Sequence, residues 1–286
     1  MRAFFLDESG TARTDGRRVL LRALLLAPLM ILAITGCKRS EPAAPVQEDR
    51  LVVFAAASLR DAFTAMGEEF KRTHPGVELT FNFAGTQELR TQLENGAAVD
   101  VFASADQRHM DELVRASRVQ GPVVFARNEP VLIVARESAA TLKGLGDLPG
   151  ADRIVIGVPE VPIGRYTLQI LDKASAALGP DFRSRVEGKV VSRELNVRQV
   201  LAKVSLGEAQ AGFVYRTDAI SAGDRVGIVT LPPELNVIAE YPIGMVKGAA
   251  HPVLARAWID FVLSADGQRA LQRAGFIAPS GSSSAP

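Results

Sequence analysis

The sequence predicts an α/β protein of two lobes, each a mostly parallel sheet flanked by helices, with a ligand cleft between the lobes. Three observations carry this expectation. Short apolar runs alternate with amphipathic segments from residue 51 onward, the βαβα rhythm of a parallel sheet covered by helices. The series occurs twice, and 286 residues leave room for two domains of ordinary size. Several strand-like runs end in turns that bear a hydroxyl or a glycine and open at once into a helix. In open sheets of this kind, ligands bind beyond the carboxyl ends of the strands.

The first 36 residues stand apart from this pattern. Arg17, Arg18 and Arg22 precede an uncharged stretch, Ala23 to Gly36, in the order of a secretory signal: basic, apolar, small. The stretch is about 14 residues long, short of the roughly 20 that span a bilayer. It closes on "ITGC", and Cys37 is the only cysteine. Residues 37–50 are polar and rich in Pro and Ala, which reads as a tether, and residues 281–286 as a flexible tail. Lobe one is expected from 51–128 and 236–280, lobe two from 129–235, with hinges near Ala126 to Pro130 and Leu231 to Glu240.

In chain order, "LVVFAAA" from Leu51 to Ala57 is a buried strand, and Leu59, Phe63, Met66 and Phe70 fall on one helix face over 59–73. Ser58 sits where an N-cap belongs, with Asp61 three residues on in an approximate capping box. The same turn is also an anion site in waiting, because free amides and the positive end of the helix dipole point outward there. "VELTFNF" is the next strand; Ala84 and Gly85 turn into a helix near 87–95, with Thr86 as a second hydroxyl at a helix start. "VDVFAS" and a helix near 106–116 complete the first series. The second has strands near 122–135, 153–158, 188–192 and 211–215, and helices near 165–178, 194–206 and 254–273. Pro162-Ile163-Gly164 and Asn196-Val197 stand at two of those helix starts, and Tyr215 ends the last strand. Each residue taken singly reads as a cap or as core; converging on one cleft, they make a binding site.

Composition narrows the function. Hydrophobic content of 47% excludes a disordered chain, and a net charge of +1 supplies no field to recruit nucleic acid. Any anion site must therefore be local. His74, His109 and His251 have no metal-ligand spacing, and one cysteine excludes zinc-thiolate chemistry. Neither G-x-S-x-G nor a phosphate loop occurs, and "GLGDLPG" lacks its strand-and-helix context. The motifs argue against an enzyme and imply no cofactor.

Taken together, "FAAASL", "VFASAD", "VPEVPIGRY", "GFVYRTDA" and "EYPIGMV" resemble, in order and spacing, the molybdate-binding proteins of bacterial ABC transporters, which are type II periplasmic binding proteins. The resemblance runs from about Leu51 to Phe276. It implies an extracytoplasmic monomer that captures molybdate, and tungstate with it, and delivers the anion to a membrane permease. It also implies that the anion is held by neutral donors at Ser58, Thr86, Ile163, Val197 and Tyr215, with no direct bond to the metal. "ITGC" resembles the lipobox of bacterial lipoproteins, which implies lipidation of Cys37 and a membrane anchor. Two departures stand out: the family usually has serine at the place of Thr86, and Gln87 and Glu88 lie beside the site. Glu88 is expected to point outward from the first turn of its helix. The alternatives are another oxyanion such as sulfate, or a ferric-ion binder, for which Tyr166, Tyr215 and Tyr241 are too scattered.

Overall fold

The computed structural model describes residues 50–279. The signal segment, Cys37, most of the tether and the tail lie outside these residues.

Strand β1 (Arg50–Ala56) leads through a short 3₁₀ turn into helix α1 (Arg60–Thr73); β2 (Glu78–Ala84), α2 (Thr86–Glu94), β3 (Val101–Ala103), α3 (Gln107–Arg115) and β4 (Val119–Asn128) follow. The chain then runs through β5 (Pro130–Ala135), β6 (Ile154–Gly157), α4 (Pro162–Leu178), α5 (Phe182–Glu187), β7 (Val190–Glu194) and α6 (Val197–Ser205). It ends with β8 (Ala211–Tyr215), α7 (Arg216–Ala222), β9 (Val226–Val229), β10 (Ala239–Val246), α8 (Pro252–Leu263) and α9 (Ala265–Arg273).

Two five-stranded sheets result, ordered β2-β1-β3-β10-β4 and β7-β6-β8-β5-β9. Both are mixed. In the first, β1 pairs parallel with β2 and β3, while β10 runs antiparallel to β3 and β4. In the second, β6 pairs parallel with β7 and β8, while β5 is antiparallel to β8 and β9. The parallel half of each sheet is the part that the βαβα rhythm predicts. The antiparallel half holds the strands by which the chain passes between sheets, from Asn128 to Pro130 and from Val229 to Ala239.

Two predicted elements divide in the structure. The apolar run over 122–135 breaks at Glu129, because a residue before proline is held extended and Pro130 has no amide to continue the ladder of β4. The helix expected over 254–273 breaks at Ser264, whose hydroxyl accepts from Gly267 N–H at 3.2 Å and starts α9. Helices α5 and α7 and strand β9 had no separate signal, each being seven residues or fewer.

The core beneath the first sheet is aromatic. Trp258 is fully buried, with Phe63, Phe70 and Phe81 at centroid distances of 5.4, 5.3 and 5.5 Å, geometry that adds to the effect of burial alone. The second sheet packs on aliphatic side chains such as Leu132, Ile154, Ile156 and Leu171. Among the described residues no helix is long and apolar enough to cross a membrane.

Candidate functional site

Six strands, β1, β2, β3, β6, β7 and β8, end at one cavity between the two sheets. Ala56 and Ala57, Ala84 and Gly85, and Ala105 line it from the first lobe; Val161 to Ile163, Asn196 and Val197, and Tyr215 line it from the second. The five residues singled out from the sequence, Ser58, Thr86, Ile163, Val197 and Tyr215, all line this cavity. The space left for the centre of a water-sized sphere is ≈ 10 Å³, about the room one water needs. A cavity that tight has no room for a sugar or a peptide.

The two hydroxyls reach it differently from the expectation: neither is a cap. The 3₁₀ turn Ala57–Leu59 precedes α1, so Leu59 holds the N-cap position and no side chain caps either segment. Ser58 Oγ instead lies 2.9 Å from Tyr241 Oη, both residues being buried. Thr86 is the first residue of α2, after the N-cap Gly85, and its Oγ1 accepts from Ala105 N–H at 3.2 Å. A hydroxyl that accepts one bond still has its own proton to give. Local sequence suggests the cap, but the side-chain partners come from 183 and 19 residues away.

Helix starts supply the backbone donors, since the first amides of a helix have no acceptor within it. Pro162 opens α4 and carries no N–H, which leaves Ile163 and Gly164 as its first free donors. Gly164 is required here: a Cβ would stand 2.1 Å from Val158 O. In α6, Asn196 Oδ1 takes the amides of Arg198 and Gln199 at 3.0 and 3.2 Å, so of the first three amides of the helix only that of Val197, which lines the cavity, is left without the cap as acceptor. Tyr215 is 1% exposed, and its hydroxyl is buried without a partner among the described residues. Burial pushes its pKa well up, with neighbouring Tyr241 and Tyr166 adding to the effect, so the phenol stays a donor. A buried donor with no acceptor is unfavourable unless a ligand supplies one.

Among the described residues, none that lines the cavity is charged. Glu88 is exposed and outside the lining, as its place in the first turn of α2 predicts. The charges stand on the rim and join the lobes. Asp106, fully buried, pairs with Arg165 at 3.1 Å, and Asp61 with Arg198 at 2.7 Å. Gln87 Nε2 donates to Leu195 O at 2.8 Å, and Arg108 and His109 donate to Glu160 O at 3.0 Å each. Burial lowers the His109 pKa, with nearby Asp106 pulling the other way. Sequence reasoning missed these bridges and the Tyr241 contact, because each joins residues far apart in the chain. Tyr241 lies within the motif "EYPIGMV", which carries the family resemblance but marks no site residue.

The profile of the bacterial extracellular solute-binding proteins matches residues 51–277. The chain belongs to that family. It is 41% identical over 263 residues to the molybdate-binding protein ModA of Mycobacterium tuberculosis H37Rv, covering 89% of this chain and 97% of the relative. Its identity to the putative ABC transporter substrate-binding lipoprotein YvgL of Bacillus subtilis is 28%, over 86% of this chain and 94% of that one. The periplasmic molybdate-binding protein of Azotobacter vinelandii superposes with a TM-score of 0.71 at 20% identity, over 80% of this chain and 99% of that structure. That likeness shows the two-lobed fold. As a member of this family the protein is a binding protein for a solute outside the cytoplasm.

Proposed function

We propose that this solute-binding protein captures molybdate, and tungstate with it, and delivers the anion to the membrane permease of an ABC transporter. The observation that carries the reading is the unpartnered Tyr215 hydroxyl, buried beside Ser58 and Thr86 in a small cavity lined by uncharged residues. A cation in such a cavity would attract anions indiscriminately, whereas fixed hydroxyls and amides measure size and proton count. Phosphate keeps a proton near neutral pH and needs an acceptor; molybdate and tungstate need only donors. The 41% identity to a protein named for molybdate binding supports the same ligand.

Lipid on Cys37 would anchor the mature chain, with residues 38–49 as a spacer; the name of the Bacillus subtilis relative supports an anchored form. The protein acts as a monomer whose lobes close by bending where the chain passes between sheets. Calorimetric titration with molybdate, tungstate, sulfate and phosphate tests the ligand: molybdate and tungstate bind tightly, and binding of sulfate alone would overturn the reading. For the anchor, Cys37→Ser is expected to move the protein from the membrane to the soluble fraction. Unchanged fractionation would remove the lipid from the proposal.

A further inference from the structure

Tyr241 is not among the residues that line the cavity, yet it is the only side chain bonded to Ser58 among the described residues. It is fully buried on β10, packed edge-on against Phe276 at 5.4 Å and Tyr215 at 5.7 Å. Behind it stands Asn128, also fully buried and hydrogen bonded to the Tyr241 hydroxyl. The Asn128 carbonyl oxygen accepts from Glu129 N–H at 3.0 Å, so the amide nitrogen faces the hydroxyls. One of its hydrogens goes to Thr217 Oγ1 at 2.9 Å, which leaves the other for the Tyr241 oxygen. Among the described residues the Tyr241 proton then has one acceptor within reach, Ser58 Oγ at 2.9 Å. Ser58 becomes an acceptor on its buried side, and its own proton is left for the cavity.

We propose that Tyr241 is a positioning residue that sets specificity: through the order Asn128 to Tyr241 to Ser58, it fixes the serine as a donor to the ligand. This inference rests on the oxyanion reading of the cavity. A hydroxyl free to rotate meets either a bare oxygen or a protonated one, because it can give or take a hydrogen bond. A hydroxyl held as a donor meets only a bare oxygen. The relay therefore selects molybdate over hydrogenphosphate, although both are dianions.

The test is titration of the full chain with molybdate, sulfate and hydrogenphosphate at a pH where all three are dianions, for the parent, Tyr241→Phe and Asn128→Asp. Tyr241→Phe keeps the ring packing and frees Ser58, so the molybdate-to-hydrogenphosphate affinity ratio is expected to fall by about tenfold. Asn128→Asp supplies an acceptor for the tyrosine proton and reverses the relay. It is expected to move the same ratio in the same direction, while its added charge weakens both dianions alike. Melting curves without ligand confirm that each variant is folded. A structural role alone lowers the melting temperature and leaves the ratio within about twofold of the parent in both variants, which overturns the inference. If the parent binds sulfate but not molybdate, the molybdate reading fails, and the sulfate-to-hydrogenphosphate ratio decides the relay. A parent that binds none of the three overturns both.

Discussion

Inside the cleft the lining residues carry no charge, whereas the rim around it joins the lobes through Asp106–Arg165 at 3.1 Å and Asp61–Arg198 at 2.7 Å. The difference separates two tasks. A full charge in a small buried site binds any counter-ion strongly and measures little. Directed hydroxyls and amides lose their bonds as soon as the ligand's size or protonation is wrong. On the rim the demand is to hold two bodies in register, and there ionic contacts serve; where the carboxylate is wholly buried, losing its cation is the costly event.

The largest break in this arrangement is expected from Gly85→Ala. A Cβ at this position would lie 2.3 Å from Leu195 O on the opposite lobe, so closure is blocked while each lobe still folds. Molybdate affinity should fall by at least about a hundredfold, with scattering showing no compaction on adding the anion. Wild-type affinity in this variant would mean that the closed contact is not needed for binding.

Arg165→Met attacks the rim. It leaves Asp106 buried without its cation, at a cost of about 3 kcal/mol, read as a fall in melting temperature of about 6–12 °C for a chain of this size. The cavity donors are untouched, so the affinity ratios among anions should stay as in the parent. A changed ratio would erase the division of tasks between rim and cavity.

Loss of a single donor should come next. Ser58→Ala and Thr86→Val each remove a hydroxyl that lines the cavity and should weaken molybdate binding by about ten- to a hundredfold in calorimetry. Neither hydroxyl caps a helix, so helix content by circular dichroism should not change. Thr86→Ser keeps the donor and the acceptor for Ala105 N–H and should bind as the parent does.

The smallest effect concerns pH. Asp218 is fully buried beside Arg198; burial pushes its carboxyl up to about 6, and Arg198 pulls it back down in part. The folded state therefore holds a proton that the unfolded chain releases near pH 4. Its contribution to stability is present below that point and is lost as pH rises through about 6. Asp218→Asn should remove this fall from a series of melting temperatures between about pH 4 and 7. A slope equal to that of the parent would place the titration elsewhere.

The apolar periods of β1, α1 and β2, and the helix starts at Thr86, Pro162 and Val197, follow from residues next to one another in the chain. A buried strand or an amphipathic helix is chosen by local spacing, so the α/β class and these helix starts were legible without coordinates, whereas the choice of five candidate donors among the turn residues came from the family resemblance. The same local reasoning made caps of Ser58 and Thr86. A hydroxyl at a helix start has a nearby amide to offer itself to, and nothing in the neighbouring residues shows a better partner. Only the folded chain places Tyr241 beside Ser58 and Ala105 N–H beside Thr86. Likewise, only the folded chain packs Gly85 against Leu195 and buries Asp106 beneath Arg165. The physical reason is range. Backbone conformation answers to the residues within a turn or two, while the direction of a buried proton and the closing of two lobes depend on groups brought together from opposite ends of the chain.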